Sequence, residues 1–425
     1  MFFDLKNFIL LYNEIGYNEY KDFILHSFHV AKFSALIAKE LGFQNYGDIY
    51  VIGLLHDAGF LTINELLNVI NQLKKYNNLS RVDNLEEIGF HSTLSCYLLK
   101  NTGLFDESLA ESVKYHHSEY SDNGLERIVG SILKLADTIS WFFFQIKSFE
   151  DYAAIIPDIW KRLENEKIPD NLKNTAISLL KDYKIIDKLI DNKPHMEMFG
   201  NFNKNLSAND CVNLSKIIAF IQEIRSPTTK DHVFLVSKVS QKLGEYILGK
   251  ADGTLLKVSG YLHDLGKLKT PLKILHKRGT LTEVERILIQ KHVFDTIDML
   301  LNSGMDNLAF LAGSHHEKLD GSGYPFGLDE EELDIYKRII VIADYYSALI
   351  EPRPYREPLH YKKALSILKE EIDRGKLDKK IYNELKNIAE SDSTLQQARH
   401  EDALEDIFGS SLSEINSVAE KFLIN

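Results

Sequence analysis

Apolar residues recur at three- and four-residue steps along nearly the whole chain, which is the periodicity of amphipathic α-helices. The periodicity is clearest in the segments HSFHVAKFSALIAKELG, DGTLLKVSGYLHDLGK, LKNTAISLLKDYKIIDKLI and PLHYKKALSILKEEI. Strand-like alternation of apolar and polar residues is scarce, and only nine prolines interrupt the 425 residues. The pattern therefore predicts an all-α fold.

The two halves of the chain align with each other. The segment that begins at His26 matches the one that begins at His232, and the motif VIGLLHDAG matches VSGYLHDLG. Three further pairs follow in the same order: His91 with His292, His116-His117 with His315-His316, and Asp137 with Asp344. The period is about two hundred residues, far longer than the repeats of a helical solenoid. We therefore expect two tandem helical domains built on one scaffold.

Asparagine, glycine and proline are concentrated in the segment DNKPHMEMFGNFNKNLSAND, residues 191–210, which is typical of a boundary between domains. We expect the first domain to span residues 1–195 and the second to span residues 210–392. Residues 393–425 have no counterpart in the repeat, and their pattern predicts one or two additional helices.

The composition restricts the partners of the protein. A net charge of −12 should repel nucleic acid polymers and anionic membranes, so we expect neither as a partner. The two cysteines, Cys96 and Cys211, have neither metal-ligand spacing nor a disulfide pattern, which fits a reducing compartment. The N-terminus does not resemble a signal peptide, and no segment is apolar enough to span a membrane. We therefore expect a cytoplasmic protein, and we leave homodimer formation open.

Histidines and aspartates stand in a fixed order in each half. The set in the second half comprises His232, His263, Asp264, His292, His315, His316 and Asp344. Any one of these histidines could be structural, but the ordered set favours a metal site, because neutral imidazole and carboxylate suit iron, manganese or zinc. An aspartate next to a histidine at a helix end can bridge two cations, one through each oxygen. Such a pair of cations activates water and holds phosphoryl oxygens.

The second half resembles the HD-GYP family, a branch of the HD superfamily of metal-dependent phosphohydrolases. The resemblance covers about residues 212–390 and rests on the motifs HDLGK, KRGTLTEVE, HHEKLDGSGYP, DYYSAL and RPYR. It implies an all-helical domain that hydrolyses cyclic dinucleotides, chiefly cyclic di-GMP to linear pGpG, with GMP as a further product. It also implies a bi- or trinuclear metal centre, usually of iron, with manganese as the alternative.

Carried over by position, the resemblance implies two metals bridged by Asp264. One metal would also be held by His232, His263 and Asp344, and the other by His292, His315 and His316. Asp264 and Lys267 are the catalytic candidates, with Lys267 at the scissile phosphate or the leaving group. The candidates for substrate binding are Lys267, Lys277, Arg278, Tyr324, Arg353 and Arg356.

Two departures from the family pattern change the expectation. Trinuclear members carry a glutamate four residues before the first histidine, where this chain has Thr228, a poor cation ligand. We therefore expect two divalent metal ions and not three. Arg278 stands where the family usually has proline, and it adds a cation that could alter the preference for base or phosphate.

The first half resembles a diverged HD domain. It keeps a complete set of candidate ligands, which comprises His26, His56, Asp57, His91, His116, His117 and Asp137. It lacks the GYP loop, Phe60 replaces the lysine of HDLGK, and WFFFQ stands in place of RPYR. Three interpretations stay open: a metal-binding regulatory domain, a second phosphohydrolase, or a relic whose histidines pack structurally. His29 is a rival to His26, but the valines four residues after His26 and His232 favour His26.

Three functions compete for the whole chain. The first is a cyclic di-GMP phosphodiesterase. The tandem of a diverged HD domain and an HD-GYP domain also resembles hydrolases of 3′,3′-cyclic GMP-AMP, so this nucleotide is the alternative substrate. A receptor that binds a cyclic dinucleotide without turnover is the alternative from another class. A hydrolase of nucleoside triphosphates or alarmones is disfavoured by the GYP loop, which those groups lack.

Overall fold

The computed structural model describes residues 2–16, 21–59, 90–118, 120, 124–191, 206–224, 232–277, 279–351, 357–396 and 407. Within these residues every regular element is a helix, and one isolated β-bridge joins Asp320 and Asp329. The predicted all-α fold is therefore confirmed. Among the described helices, none combines the length and the apolar character that a membrane crossing requires.

The chain divides into two compact units. The N-terminal domain comprises Asn18–Lys204 and Ser410–Asn425, and the C-terminal domain comprises Met1–Tyr17 and Asn205–Gly409. The start of the chain thus belongs to the C-terminal domain, whereas the division based on sequence assigned residues 1–195 to the first domain.

The packing of the first helix, α1 (Leu5–Ile15), explains this difference. The Asn7 side chain donates a hydrogen bond to the Ser303 carbonyl at 2.8 Å. Phe8 and Tyr12 on the apolar face of the helix are fully buried. An amphipathic pattern predicts that a helix has a buried face, but it does not predict which core receives that face.

Eight helices are described in the N-terminal domain, joined by a 3₁₀ turn at Ser112–Tyr115. They are α2 (Lys21–Glu40), α3 (Tyr46–Leu55), α4 (Phe90–Thr102), α5 (Glu107–Glu111), α6 (Leu125–Phe143), α7 (Phe149–Asn165), α8 (Asp170–Leu179) and α9 (Tyr183–Ile190). Helix α2 packs on α3 and α6, and every residue from His26 to Ala38 is buried. Even Lys32 is buried, and its ammonium group donates to the carbonyls of Lys188 and Asp191 at the end of α9. The last carbonyls of a helix receive no hydrogen bond from a backbone N–H of that helix, so Lys32 supplies a donor here.

Nine further helices are described in the C-terminal domain, with 3₁₀ turns at Leu265–Lys269 and Ser393–Leu395. They are α10 (Ala208–Ile224), α11 (His232–Ile247), α12 (Lys250–Leu262), α13 (Leu272–Leu275), α14 (Glu283–Asn302), α15 (Asp306–Ala312), α16 (Ile335–Ile350), α17 (Tyr361–Asp373) and α18 (Lys379–Ser391). Helix α11 packs on α12, α16 and α18, and its apolar face lies in one core with theirs. Apart from residues 393–396 and 407, the predicted extension 393–425 lies outside the described residues.

In both domains a glycine three residues before the His-Asp pair allows two helices to touch. A β-carbon on Gly53 would lie 2.9 Å from Ala31 Cα, and one on Gly260 would lie 2.5 Å from Ser237 Cα. These neighbours are backbone atoms, which cannot rotate away as the end of a side chain can. The close approach of α3 to α2, and of α12 to α11, therefore sets the position of the His-Asp pair that follows.

We expect Gly53→Ala to destabilise the N-terminal domain by about 1–3 kcal/mol, because the added methyl group overpacks a contact between two backbones. The urea midpoint should fall. Tryptophan fluorescence can follow this transition, since both tryptophans of the chain, Trp141 and Trp160, lie in the N-terminal domain. Gln44→Ala, at an exposed position between α2 and α3, is the control. An unchanged midpoint for Gly53→Ala would show that the helices separate without cost.

Candidate metal centres

The seven candidate ligands of the C-terminal domain come from five helices or from their ends. His232 is the first residue of α11, His292 lies in the middle of α14, and Asp344 lies in the middle of α16. The pair His263-Asp264 directly follows α12, and the pair His315-His316 follows the end of α15. The fold brings all seven side chains together.

Asp264 lies at the centre of this cluster, and each of its carboxylate oxygens faces a different pair of imidazoles. Oδ1 lies 3.2 Å from His292 Nε2 and 3.7 Å from His315 Nε2. Oδ2 lies 3.3 Å from His263 Nε2 and 3.7 Å from His232 Nε2. A carboxylate that bridges two cations needs this arrangement.

Asp344 completes one of the two sets of ligands. Its Oδ1 lies 3.1 Å from His232 Nε2, and its Oδ2 lies 3.6 Å from His316 Nδ1. Groups whose ligand atoms all lie within 4.8 Å of one another include His232/His263/Asp344 and His292/His315/His316. These two groups have the same membership as the two sets that the family resemblance implied.

Backbone carbonyls orient the imidazoles. His263 Nδ1 lies 2.8 Å from Gly260 O, His315 Nδ1 lies 2.8 Å from Ala312 O, and His292 makes the same type of bond. Because a carbonyl oxygen can only accept, Nδ1 carries the proton in each ring. Nε2 then presents its lone pair to the cluster, which is the tautomer that a metal ligand requires.

A hydroxyl group fixes the turn after the His-Asp pair in both domains. Gly266 N donates to Thr296 Oγ1 at 2.8 Å, and Gly59 N donates to Ser95 Oγ at 2.9 Å. Each hydroxyl residue stands four positions after the central histidine of its half and therefore on the same helical face. Both residues are absent from the sequence-based site, although their common spacing from the histidine could have revealed them.

Burial and nearby charges keep Asp264, His315 and His316 in the protonation states that metal binding requires. Burial alone would raise the pKa of Asp264, but the Lys267 ammonium, which contacts its Oδ2, and His263 hold this pKa well below its usual range. Burial lowers the pKa of His315 well below its usual range and lowers that of His316 to about 3. Carboxylates bind metal when ionised and imidazoles when neutral, so these residues are in the required states.

Two buried atoms at the centre, Asp264 Oδ1 and His263 Nε2, make no hydrogen bond to any described residue. Buried polar atoms nearly always have a hydrogen-bond partner. Atoms of other candidate ligands lie near both of them, with His292 Nε2 at 3.2 Å from Asp264 Oδ1 and Asp264 Oδ2 at 3.3 Å from His263 Nε2. The donor set therefore fits a pair of divalent cations.

Two buried glutamates that are absent from the sequence-based site lie beside the cluster. Glu351 is 2% exposed, and its Oε2 lies 2.7 Å from His232 Nδ1. Burial lowers the pKa of His232, but the charges of Glu351 and Asp344 outweigh this effect and raise the pKa to about 10. Glu223 is 4% exposed, and burial raises its pKa well above the usual range. Glu351 stands two helical turns after Asp344, a spacing that could have revealed it.

The GYP loop reaches the cluster through Tyr324, whose ring centroid lies 4.7 Å from that of His316. The buried Glu317 carboxylate holds this loop in place. It accepts hydrogen bonds from Phe326 N at 2.7 Å and from Leu328 N at 3.0 Å. Glu317 is also absent from the sequence-based site, although it directly follows the paired histidines.

The other substrate-binding candidates receive less support from the described residues. Lys277 pairs with Glu285 at 2.5 Å, so part of its charge is already compensated. Arg278, Arg353 and Arg356 lie outside the described residues, as does Thr228.

The cluster in the N-terminal domain repeats the same geometry around Asp57. Oδ1 of Asp57 lies 3.3 Å from His91 Nε2 and 3.4 Å from His116 Nε2. Oδ2 lies 3.4 Å from His56 Nε2 and 3.7 Å from His26 Nε2. The carboxylate again faces two pairs of imidazoles.

The remaining two candidates close this second cluster. Asp137 Oδ1 lies 3.2 Å from His26 Nε2, and His117 Nε2 lies 2.9 Å from His91 Nε2. Asp57 Oδ1 is buried and has no hydrogen bond to a described residue, like its counterpart in the C-terminal domain. This donor set therefore also fits divalent cations.

His29, the rival to His26, belongs to neither ligand group of the N-terminal domain. It is buried, and its ring makes edge contacts with Phe143 and Phe144. Burial lowers its pKa to about 3, so it is a neutral ring within an apolar environment.

The first histidine of each cluster has a different partner. Ser140 Oγ lies 2.9 Å from His26 Nδ1 and donates its own proton to a backbone carbonyl, so His26 is the donor in this pair. Ser347 stands at the position of Ser140 in the aligned repeat. Its buried hydroxyl has no partner among the described residues, because His232 pairs with Glu351 instead.

Known proteins resemble each half of the chain. Family models described as HD domains match residues 23–141 and 214–381. The 3′3′-cGAMP-specific phosphodiesterase 1 of Vibrio cholerae is 26% identical over 359 residues, which cover 79% of this chain and 80% of that protein. The 3′3′-cGAMP-specific phosphodiesterase 3 of the same organism is 38% identical over 36% of this chain and 34% of that protein. A cyclic di-GMP phosphodiesterase of Thermotoga maritima is 34% identical over 34% of this chain and 40% of that protein.

A solved structure resembles nearly the whole chain. The crystal structure of a cyclic GMP-AMP specific phosphodiesterase from V. cholerae superposes with a TM-score of 0.53 and 20% sequence identity. The superposition covers 91% of this chain and 98% of that one. At this level of identity, the likeness shows a shared fold alone.

We expect Glu351→Gln to weaken metal binding at the C-terminal cluster by about 10- to 100-fold, the usual effect of losing an outer hydrogen-bond partner of a metal ligand. The amide lacks the negative charge that fixes His232. Free Mn²⁺ can be measured by electron paramagnetic resonance in an Asp57→Asn background, which restricts binding to the C-terminal cluster. Ser347→Ala, in the last turn of the helix that Glu351 follows, is the matched control, because its hydroxyl has no partner among the described residues. Equal affinity for Glu351→Gln and the control would contradict the orienting role of Glu351.

Proposed function

Because the chain belongs to the HD domain family, with an HD domain in each half and HD-GYP motifs in the second, we propose that it is a metal-dependent cyclic dinucleotide phosphodiesterase. The observation that carries the proposal is the position of Asp264, whose two oxygens face two separate pairs of imidazoles. The relatives described above act, by their names, on cyclic dinucleotides. In this proposal the second HD domain, residues 210–392, performs the reaction.

We assign two divalent cations to the C-terminal cluster. Asp264 would bridge them, with His232, His263 and Asp344 on one side and His292, His315 and His316 on the other. When bound, the cations supply Lewis-acid polarisation of the phosphodiester and activation of water. Imidazole nitrogen and carboxylate oxygen suit Fe²⁺ and Mn²⁺, and we propose iron first. Threonine in place of glutamate at position 228 supports a count of two.

Lys267 would stabilise the negative charge that develops on the phosphate or on the leaving oxygen. Burial lowers the pKa of Lys267, but the Asp264 carboxylate beside it outweighs this effect and raises the pKa above its usual value. The ammonium group therefore stays charged. A cation that is already fixed in a poorly hydrated site stabilises a transition state better than a mobile one in water.

The GYP loop would bind the substrate next to His316. Burial raises the pKa of Tyr324 above its usual range, so its hydroxyl stays protonated and can donate to a phosphate oxygen. The two hydrogen bonds to Glu317 hold the loop in one position. Lys277, Arg278, Arg353 and Arg356 are proposed to contact the remaining phosphate and the bases, on the resemblance of their motifs to the family.

Two cyclic dinucleotides are candidate substrates. 3′,3′-cyclic GMP-AMP is favoured by the relative that matches 79% of the chain, which is specific for this nucleotide by its name. Cyclic di-GMP is supported by relatives that match 34% and 33% of the chain. With either substrate, hydrolysis of one phosphodiester bond gives a linear dinucleotide with a 5′-phosphate.

For the N-terminal domain we propose a metal-binding regulatory role. Its cluster around Asp57 has the same donors as the cluster around Asp264. The sequence has no counterpart of Lys267, since Phe60 stands at that position, and it has no GSGYP turn. The domain thus keeps the groups that hold cations and lacks those assigned to the leaving oxygen and to the substrate.

We expect Asp264→Asn to lower the turnover of both cyclic dinucleotides by at least about 100- to 1000-fold, the usual cost of losing one electrostatic stabiliser of the transition state. The amide keeps the shape of the side chain but offers no second anionic oxygen to a cation. The measurement is chromatographic detection of linear product from anaerobically purified protein loaded with Fe²⁺ or Mn²⁺.

Asp57→Asn makes the same chemical change in the N-terminal cluster and shows which domain catalyses the reaction. We expect this variant to retain turnover. Equal losses in the two variants would argue against catalysis by the C-terminal domain alone. If the metal-loaded wild-type protein binds the nucleotide but forms no product, the proposed phosphodiesterase activity is wrong and the protein is a receptor.

A further inference from the structure

An exposed tryptophan lies beside the N-terminal metal cluster. Trp141 stands four residues after Asp137, and its ring stacks on that of His26 with 4.8 Å between centroids and 24° between planes. The Phe144 ring stacks on Trp141 at 5.5 Å and 26°. Trp141 is nevertheless 59% exposed. The two rings therefore form an aromatic platform, Trp141/Phe144, next to the candidate ligands.

The two aromatic residues of this platform are not aromatic at the aligned positions of the second half. In the aligned repeat, Ala348 stands at the position of Trp141, and Glu351 stands at the position of Phe144. The serine between Asp137 and the platform, Ser140, is kept as a serine in the second half. The C-terminal end of α6 thus carries two aromatic side chains where the other domain has a small residue and a carboxylate.

The contacts with His26 and Phe144 leave more than half of the Trp141 side chain exposed. This exposed aromatic surface is available to a ligand. Cations held by carboxylates and imidazoles recognise phosphate, and aromatic side chains recognise nucleobases, because every base has a face that can stack.

We propose that the N-terminal domain binds a nucleoside monophosphate, with its phosphate at the cluster around Asp57 and its base stacked on Trp141. One phosphate matches one pair of cations, and one base matches one aromatic platform. The inference rests on the proposed metal occupancy of the N-terminal cluster, and it is independent of the catalysis assigned to the C-terminal domain. Binding and not turnover is assigned, because this half has no lysine in the place of Lys267.

Tryptophan fluorescence can report on this site, because the two tryptophans of the chain both lie in the N-terminal domain. In the variant Trp160→Phe, Trp141 is the single tryptophan. Co²⁺ bound at the cluster should quench its emission, since the ring stacks on His26. Asp57→Asn should weaken this quenching. If the emission does not respond to Co²⁺, the N-terminal cluster does not bind the metal. That result would overturn the inference.

The nucleotide is tested next on Trp160→Phe protein loaded with Zn²⁺, whose filled d shell avoids quenching by the metal itself. We expect 5′-GMP to quench Trp141 saturably. Ribose 5-phosphate, which carries the phosphate without a base, should not quench at the same concentrations. Quenching by both compounds, or by neither, would overturn stacking of the base on Trp141.

Calorimetry with Trp141→Ala measures the contribution of the platform, in an Asp264→Asn background that weakens GMP binding at the C-terminal cluster. We expect the affinity for GMP to fall by about 5- to 150-fold, which corresponds to about 1–3 kcal/mol for one stacked base. Phe149→Ala is the matched control, because Phe149 is an aromatic residue of the same domain and is 68% exposed. Equal affinities for Trp141→Ala and this control would overturn the proposal. Turnover of cyclic dinucleotides by wild-type protein would still stand in that case, so the two failures are distinguishable.

Discussion

Each domain depends on one constraint. An aspartate carboxylate in its interior has to lie close to four imidazoles that come from different helices. Asp264 is 2% exposed, and a buried charge is costly unless it is compensated by opposite charge and hydrogen bonds. The compensation comes from Lys267, from the imidazoles and from the cations that the cluster fits. Since these groups stand on different helices, the helices must approach one another closely. This requirement explains why Gly260 touches the backbone of Ser237 with no room for a side chain.

The duplication preserves the parts that hold the carboxylate and changes the parts around it. The glycine-to-hydroxyl bond after the His-Asp pair is present in both halves, from Gly59 to Ser95 and from Gly266 to Thr296. The partner of the first histidine is not preserved. A serine beside His26 adds no charge, whereas Glu351 adds a carboxylate to the C-terminal cluster. The negative charge of Glu351 thus offsets the positive charge of Lys267, which has no counterpart in the sequence of the first half.

The order of residue types shared by the two halves and the family resemblance were sufficient to predict which histidines and aspartates lie together. The helical periodicity then placed them on packed helices. What the sequence could not predict were contacts between distant residues of ordinary type. Asn7 and Ser303 are 296 positions apart, and neither residue signals that α1 joins the C-terminal core. Glu351 is a common surface residue type, and its role depends on which face of α16 meets His232.

Glu223 bears on the number of cations in the C-terminal domain. It is buried within electrostatic range of Asp264 and Lys267, and its Oε2 has no hydrogen bond to a described residue. A carboxylate in this place resembles an additional ligand, in the role for which Thr228 is unsuited. Burial, however, raises the pKa of Glu223 well above its usual range, and the negative charges of Asp264 and Glu351 oppose its ionisation further. A protonated carboxyl group is a poor cation ligand. A third cation would therefore first have to displace this proton. As long as the proton stays, Glu223 adds no negative charge to the site, and the site keeps the charge that suits two cations.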